Sequence, residues 1–279
     1  MFRLAVKTLG EFIVSSILRT GISKIALFVR AAVALRSINL RGCPFIPKQW
    51  WPAFPHNRGA YNEFILWIKS LRLPSADSVV DVGANHGDFA QAVSTIFPDA
   101  RILLVEPVPS LHAELQRRCL EHQSRWSLET SAAGSHCGTA NLMIDPENDA
   151  IGSLAGFSEE YRQISHSASS VAVVSCQVKP LDQILEERNI NHVDLVKVDV
   201  EGFEFEVLDG FRERLKATRA IVVEVSLVRL AKSGTNPLEL MTNRLTENGF
   251  EISAVIPSLY ASDDPRQPVE YNILARRPS

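Results

Sequence analysis

Beyond residue 60 the chain alternates between short apolar runs and longer segments in which apolar residues recur every three to four positions. Runs rich in Val, Ile and Leu predict buried strands, and the periodic segments predict helices. We expect strands at 78–82, 101–106, 126–132, 138–144, 171–178, 193–198 and 220–225 and helices at 61–71, 87–97, 111–121, 181–188, 203–215 and 237–248. Two last strands, 251–256 and 271–275, have only a loop between them, so we expect them to pair antiparallel. This order predicts an α/β fold whose mostly parallel sheet has helices on both faces and ends in an antiparallel hairpin.

The first part of the chain does not follow this pattern. Apolar residues are dense from Leu4 to Leu35, but charged residues interrupt them, so no stretch reaches the roughly 18 to 20 uncharged residues of a membrane-spanning helix. The apolar stretch 12–18 has the length of a short signal-peptide core, yet Glu11 precedes it and no small-residue cleavage site follows. We therefore expect neither a transmembrane span nor secretion.

An aromatic connector, with Trp50 and Trp51 followed by two prolines, closes this N-terminal segment because proline cannot continue a helix. We place the domain boundary here, with a basic, apolar helical arm and connector at 1–55 and the main domain at 56–279. A length of 279 residues suits one α/β domain with an added segment better than two full domains.

The composition, with 46% hydrophobic and 22% charged residues, excludes collagen, wholesale disorder and a disulfide-dense miniprotein. The net charge of -3 does not call for a nucleic-acid partner. Up to Lys48, however, eight basic residues stand against Glu11 alone, so this stretch carries +7 and the rest of the chain -10. The four cysteines are far apart and include no C-x-x-C pair, which argues against a zinc or redox site and for a reduced, cytoplasmic protein.

The basic and apolar character of the arm suits two roles. Residues 1–40 could form a peripheral contact with an anionic membrane surface, or the arm could pack as helices on the protein's own body. The pattern favours neither role, and it does not address the oligomeric state.

The stretch VVDVGANHGDFA at 79–90 predicts a strand that runs into a glycine-rich turn and then a helix. Gly83 and Gly87 lack a Cβ, so backbone amides and the start of the helix can approach a nucleotide-like ligand closely. The dinucleotide motif G-x-G-x-x-G needs its second glycine next to the pyrophosphate, and Asn85 holds that place here. Asp81 would repel a diphosphate and attract an ammonium group. The turn therefore favours S-adenosylmethionine, which has an ammonium and a sulfonium group and no phosphate.

Glu106 ends the next predicted strand, about twenty residues beyond the turn, in the sequence LLVEP. A carboxylate at the carboxyl edge of such a sheet can accept hydrogen bonds from both hydroxyls of a ribose. The spacing therefore predicts that Glu106 contacts the cofactor.

A third stretch, VDLVKVDVEGFEFEVLDG at 193–210, combines a predicted strand with several charged residues. Side-chain alternation along a strand would send Lys197, Asp199 and Glu201 to the same face. Charged groups in a sheet that is buried on both faces are costly unless they are paired or functional. Two interpretations stay open: these residues form part of a site, or a salt bridge of Lys197 only supports the turn.

Taken in order and spacing, the motifs VDVGAN-x-G, VEP-x-P and DLVKVDVEGFE resemble those of the FkbM family of S-adenosylmethionine-dependent methyltransferases. The resemblance covers about Val79 to Val225 and leaves out the arm. It implies a Rossmann-like class I methyltransferase sheet and an O-methyltransferase acting on a hydroxyl of a sugar, glycan or natural-product acceptor. His86 replaces the more usual aliphatic residue of this turn, and we expect it to pack beside the turn or to lie on the surface rather than to take part in catalysis. By motif match, the residues that would hold S-adenosyl-L-methionine are Asp81, Gly83, Ala84, Asn85, Gly87, Glu106 and Ala133.

Methyl transfer is an in-line displacement, in which the protein aligns the reactants and removes a hydroxyl proton. Asp199, Glu201 and Glu224, near the carboxyl ends of predicted strands, would face the acceptor across the cofactor. We expect Asp199 to be the general base or to position it, with Glu201 and Glu224 as partners. In an alternative interpretation, these carboxylates bind a divalent cation that lowers the pKa of the hydroxyl.

Acceptor recognition is expected from the variable segments 145–170 and 258–268 and from Trp50 and Trp51. Two other classes of function stay open. One is a nicotinamide-dependent oxidoreductase on a similar sheet, against which the glycine-rich turn argues. The other is a non-catalytic cofactor-binding protein that is anchored by its N-terminal arm.

Overall fold

The computed structural model describes residues 58–123, 125–145, 148–156, 171–227, 235–260 and 266–278. The predicted arm and connector, including both tryptophans, lie outside the described residues, as do parts of the two predicted acceptor segments. The domain boundary at 55–56 therefore stays a prediction. Two compact units, Met1–Leu66 and Trp67–Ser279, divide the chain, and apart from the start of the first helix the described residues belong to the second.

The helices of the described residues, numbered along the chain, are α1 (Arg58–Ser70), α2 (Asp88–Ile96), α3 (Pro109–Glu121), α4 (Leu181–Glu187), α5 (Glu204–Asp209) and α6 (Pro237–Glu247). Proline begins α3 and α6, where its fixed φ suits the first turn and its missing N–H is not needed. In the part of the chain that the structure describes, we find no helix of the length and apolarity needed to cross a membrane.

The main sheet consists of β1 (Ser78–Val82), β2 (Arg101–Val105), β3 (Trp126–Glu129), β8 (Leu195–Val198), β9 (Ala220–Ser226), β10 (Glu251–Tyr260) and β11 (Pro268–Arg276). Its strand order is β10-β11-β9-β8-β1-β2-β3. The strands from β9 to β3 in this order pair in parallel, whereas β11 pairs antiparallel with both β9 and β10. This confirms the predicted mostly parallel sheet with an antiparallel C-terminal hairpin. The carboxyl ends of β1, β2, β8 and β9 consequently meet at one edge.

The central strands of this sheet are buried on both faces because they are apolar at nearly every position. Val79 and Val82 in β1 and Val198 in β8 are at most 1% exposed. The exceptions are Asp81 and Lys197, two buried charged residues that are direct partners in the β1–β8 register. The core therefore contains a charged pair at the edge where the strands end.

A second, four-stranded sheet was not predicted. It contains β4 (Ala132–Gly134), β5 (Gly138–Asp145), β6 (Asn148–Ser153) and β7 (Ala172–Pro180), in the order β4-β7-β5-β6. The strand predicted at 126–132 divides between the two sheets because Glu129 accepts hydrogen bonds from the N–H of Ser131 at 3.3 Å and from its hydroxyl at 2.8 Å. Part of the predicted acceptor segment 145–170 is also regular structure, since β6 lies within it.

The single helix predicted at 203–215 is wrong, because α5 ends at Asp209 and a 3-10 turn follows at Arg214–Ala217. Gly210 packs so closely that a Cβ there would lie 1.9 Å from the carbonyl oxygen of Gly134. The Asp182 carboxylate then accepts the backbone N–H groups of residues 212, 213 and 214. This carboxylate holds the chain in a new direction, which apolar periodicity alone does not reveal.

Candidate active site

The glycine-rich turn after β1 lies at the edge of the main sheet where β1 and β2 end. Gly83, Asn85 and Gly87 have positive φ angles of 75°, 51° and 78°, and the Gly83 N–H donates to the carbonyl of Val105 at 2.9 Å. A Cβ on Gly83 would lie 1.7 Å from the carbonyl oxygen of Asp199. Glycine is therefore required at position 83 because the chain that follows β8 passes directly over the turn.

The other residues predicted in and beside the turn also lie at this edge. The N–H of Ala84 donates to the carbonyl of Val105 at 3.2 Å, and the N–H of Gly87 donates to the carbonyl of Ala84 at 2.7 Å. Ala133, on β4, lines an apolar cavity together with Gly83. The second sheet thus contributes one wall beside the turn.

Glu106 is buried directly after β2 and bridges two loops. Its carboxylate accepts the N–H of Asn85 at 2.7 Å on one oxygen and the N–H of Val108 at 2.9 Å on the other. Burial raises the pKa of Glu106 to about 7, although these two hydrogen bonds favour its charged form. Glu106, Asn85 and Asp199 line one cavity with Gly83, so the predicted ribose-binding group faces the same space as the predicted base.

Asp81 is fully buried beneath the turn. The ammonium group beside its carboxylate is that of Lys197, with Nζ 3.5 Å from Oδ1. Burial raises the pKa of Asp81 to about 6, against the opposing effect of the Lys197 charge. Asp81 therefore supports the turn from below, and its contact with a cofactor stays a prediction.

The Lys197 side chain reaches both the turn and the chain after β8. Its Nζ lies 3.1 Å from the Gly83 carbonyl oxygen and 3.1 Å from Asp199 Oδ2. Burial alone would lower the pKa of Lys197, but the charges of Asp199 and Asp81 outweigh it and leave this pKa above its usual value. Lys197 is thus a buried cation that touches three groups of the site.

Asp199, Glu201 and Glu224 each place a carboxylate oxygen within 4.8 Å of the other two. Strand alternation, which was expected to place Asp199 and Glu201 on one face, is not the reason. The strand β8 ends at Val198, and Glu201 lies in a turn with a φ of 57°. Glu224 comes from the neighbouring strand β9. The structure therefore brings together the three residues predicted for the acceptor side. Their spacing would also suit the oxygen ligands of a divalent cation.

Sequence reasoning missed the buried residues next to Glu224 on β11. Asn272 is its direct partner in the β9–β11 register, and Glu270 lies two positions away on the same strand. Burial raises the pKa of Glu224 well above its usual range, and the negative charges of Asp199, Glu270 and Glu204 add to the effect. The predicted strand began one residue after Glu270, so only the alternation extended backwards along β11 could have indicated it.

The turn that contains Glu201 is held from two sides by residues to which no role was assigned. Glu204 accepts the N–H groups of Val200 at 3.2 Å and Gly202 at 3.0 Å, and burial raises its pKa to about 7. From the second sheet, the buried Ser153 hydroxyl donates to the carbonyl of Glu201 at 2.6 Å. This role of Ser153 could not be predicted, because its partner is distant in the chain.

His86 lies at the side of the turn that faces α3, where its Nδ1 is 2.9 Å from a Glu114 carboxylate oxygen. Arg118, also on α3 and buried, donates to the His86 carbonyl and lies 3.6 Å from Asp88. These contacts fix the turn against α3. Arg118 resembles any other helix arginine in the sequence, so its contribution could not be predicted.

A family model identifies the class of protein to which this chain belongs. Residues 81–252, more than half of the chain, match the family model described as Methyltransferase FkbM domain. The chain therefore belongs to the FkbM family of methyltransferases, as its motifs indicated.

Three relatives illustrate this family. Methyltransferase sdnD of Sordaria araneosa is 29% identical over 65% of this chain and 76% of its own length. The 2-O-methyltransferase NoeI of Sinorhizobium fredii is 28% identical over 64% of this chain and 74% of its own. The 31-O-demethyl-FK506 methyltransferase FkbM of Streptomyces tacrolimicus is 25% identical over 71% of this chain and 81% of its own.

Proposed function

We propose that this protein is an S-adenosylmethionine-dependent O-methyltransferase that acts on a hydroxyl of a sugar, glycan or natural-product acceptor. The observation that carries the proposal is a cavity lined by Gly83, Asn85, Glu106 and Asp199. It brings together a residue suited to a ribose and a carboxylate suited to a hydroxyl proton. Two of the relatives are named for O-methylation, which supports the same reaction for this chain.

The residues at the turn fit S-adenosylmethionine better than a dinucleotide. Asn85 stands where a dinucleotide site needs glycine, and its backbone N–H already donates to Glu106. A diphosphate would have to compete with this buried carboxylate for the amide and would meet its negative charge. The carboxylate can still accept ribose hydroxyls, because each of its oxygens has two lone pairs. These contacts argue against the nicotinamide-dependent oxidoreductase.

In the proposed mechanism, S-adenosylmethionine would supply an activated methyl group on its sulfonium. Asp199 is the carboxylate best placed to take the acceptor proton, because its side chain is 29% exposed and an ammonium group lies beside it. Burial raises the pKa of Glu224, and one of its carboxylate oxygens lies within 4.8 Å of one of Asp199. We assign proton acceptance to Asp199 and its orientation to Glu224, with Glu201 as a further partner.

The first experiment asks which cofactor the purified full-length chain binds. Mass spectrometry should detect co-purified S-adenosylhomocysteine, and calorimetry should give binding of S-adenosylhomocysteine but not of NAD or NADP. Methyl-labelled S-adenosylmethionine is then offered with a panel of monosaccharides, methyl glycosides and lipid-linked sugars. Binding of a nicotinamide cofactor in place of S-adenosylhomocysteine would overturn the proposal. Cofactor binding without transfer to any acceptor would instead favour the non-catalytic binding protein.

We also propose that the protein is cytoplasmic, because its cysteines include no C-x-x-C pair, and that residues 1–40 make a peripheral membrane contact, because six basic residues stand against Glu11 alone among the apolar residues of this segment. This arm lies outside the described residues, so the support comes from the sequence. Flotation with liposomes that contain anionic lipids should recover the full chain and lose the variant that lacks residues 1–40. Equal recovery of both forms would exclude the membrane role and favour packing of the arm on the body.

A further inference from the structure

Lys197 is the point at which the cofactor side and the acceptor side of the site meet. Its Nζ contacts the carbonyl of Gly83 in the turn, the carboxylate of Asp199 after β8 and, at 3.5 Å, the buried carboxylate of Asp81. The Lys197 side chain is only 5% exposed. Burying an ammonium group costs free energy unless its partners replace the lost hydration, and here three oxygens surround it.

The three contacts differ in what they can do. The pair with Asp81 keeps a fully buried carboxylate neutralised, which is a structural role. The contact with Asp199 is made to Oδ2, at 3.1 Å, on a carboxylate that is partly exposed. The contact with Gly83 ties the same ammonium group to the turn whose backbone also packs against Asp199. A movement of Lys197 would therefore displace the turn and the carboxylate together.

We propose that Lys197 is a positioning residue that sets the distance and orientation of the Asp199 carboxylate relative to the cofactor-binding turn. It does not touch the reacting atoms itself. It holds one oxygen of Asp199 so that the other faces the acceptor hydroxyl, and it holds the Gly83 carbonyl so that the turn keeps a fixed place. This inference rests on the proposed function and adds to it the group that couples the two halves of the site.

The test must separate positioning from simple neutralisation of Asp81. Lys197→Met keeps the length of the side chain but leaves Asp81 without its cation. Lys197→Met/Asp81→Asn removes both buried charges, and Asp81→Asn alone is its reference. Lys179→Met is the matched control, because Lys179 also bridges two carboxylates, Glu187 at 2.7 Å and Glu129 at 3.7 Å, and is not assigned to the site. All four variants are compared by thermal unfolding, by calorimetry with S-adenosylhomocysteine and by turnover of methyl-labelled S-adenosylmethionine.

Lys197→Met is expected to unfold at lower temperature and to bind S-adenosylhomocysteine at least about tenfold more weakly, whereas Lys179→Met keeps its affinity. In Lys197→Met/Asp81→Asn, the unfolding temperature should return close to that of Asp81→Asn because neither buried charge is left unpaired, but S-adenosylhomocysteine should still bind more weakly than to Asp81→Asn because the turn has lost its contact with Lys197. With the monosaccharide or glycoside that the wild type methylates, turnover of the double variant should remain about 100-fold below that of Asp81→Asn, because Asp199 is no longer held.

Turnover of the double variant close to that of Asp81→Asn would overturn the inference, since Lys197 would then be only the counter-ion of Asp81. The double variant gives this answer even where Lys197→Met alone does not fold. A wild-type chain that binds S-adenosylhomocysteine and methylates no acceptor would count against the proposed function instead, so the two failures are distinguishable.

Discussion

The replacement Gly83→Ala tests the closest backbone approach in the site. Alanine with a positive φ costs about 1 to 2 kcal/mol. The added Cβ would lie 1.7 Å from the Asp199 carbonyl oxygen, where Cβ contacts essentially never fall below 3.0 Å, so one side must shift by roughly 1.3 Å. Such overpacking costs about 1 to 3 kcal/mol more. The free energy of unfolding should therefore fall by about 2 to 5 kcal/mol, and a shift of this size at the reacting groups costs about 100-fold in rate.

Gly249→Ala is the matched control, because Gly249 has a φ of 83° and its added Cβ would meet the far end of the Arg277 side chain, at 2.8 Å, rather than a backbone atom. Urea unfolding measures the stability of both variants, and calorimetry measures their affinity for S-adenosylhomocysteine. We expect Gly249→Ala to lose about 1 to 2 kcal/mol and to keep its affinity. Gly83→Ala should lose more and bind at least about tenfold more weakly. Equal losses of stability with unchanged affinity would refute the reasoning from the close approach.

Four further predictions concern the carboxylates. Asp199→Asn should bind S-adenosylhomocysteine like the wild type while turnover falls by about 100-fold; unchanged turnover in the labelled-methyl assay would reject its role as base. Glu106→Ala should bind S-adenosylhomocysteine about tenfold more weakly because it loses acceptors for the ribose hydroxyls, and calorimetry with an unaltered affinity would contradict that assignment. Since the pKa of Glu106 rises from 4.5 to about 7 on folding, the folded chain binds a proton that the unfolded chain releases in this range. Its contribution to stability is complete below pH 4.5 and is lost as the pH rises through about 7. Between pH 4.5 and about 7 the free energy of unfolding should therefore decrease by about 3 kcal/mol less in Glu106→Gln than in the wild type. Urea unfolding at both ends of this pH range checks this, and an equal decrease in the wild type and the variant would oppose it. A chelator should leave methyl transfer unchanged because Lys197 supplies a cation beside Asp199, whereas a loss that Mg²⁺ restores would assign the acidic cluster to a metal.

The main sheet could be predicted because its signals are local. β1 occupies the predicted residues 78–82, because a Val-rich run followed by a glycine-rich turn predicts a buried strand that ends at the turn. The antiparallel pairing of β10 and β11 followed from the short connection between them. Buried parallel strands leave a continuous apolar record in the sequence, so their positions do not depend on distant partners.

Elements shaped by distant contacts could not be predicted. The helix expected at 203–215 stops because Gly210 meets the backbone of Gly134 and because Asp182 binds the chain beyond it. The apolar periodicity of the segment 203–215 does not indicate either of these contacts. The second sheet escaped prediction for the same reason, since β4 pairs with β7 across a long stretch of sequence.

The residues of the candidate site fall into the same two groups, those marked by local signals and those brought in by distant contacts. Gly83 and Glu106 were found because turn and strand spacing mark them, and Asp199 because a charge inside a buried strand motif is unusual. Ser153 and Glu270 come from a hairpin and an antiparallel strand that return to the edge from elsewhere. Their types are common on protein surfaces, so only the folded chain indicates that they surround Glu201 and Glu224.

The bridge that Glu106 makes between the amides of Asn85 and Val108 has a consequence for how a ligand enters. A carboxylate that is already fixed at both oxygens does not need to be ordered when a ribose arrives, so little side-chain entropy is lost on binding. The two loops that it joins are held in register for the same reason. This edge of the sheet is thus preorganised, and affinity there depends on how well a ligand matches it rather than on how far the protein adapts.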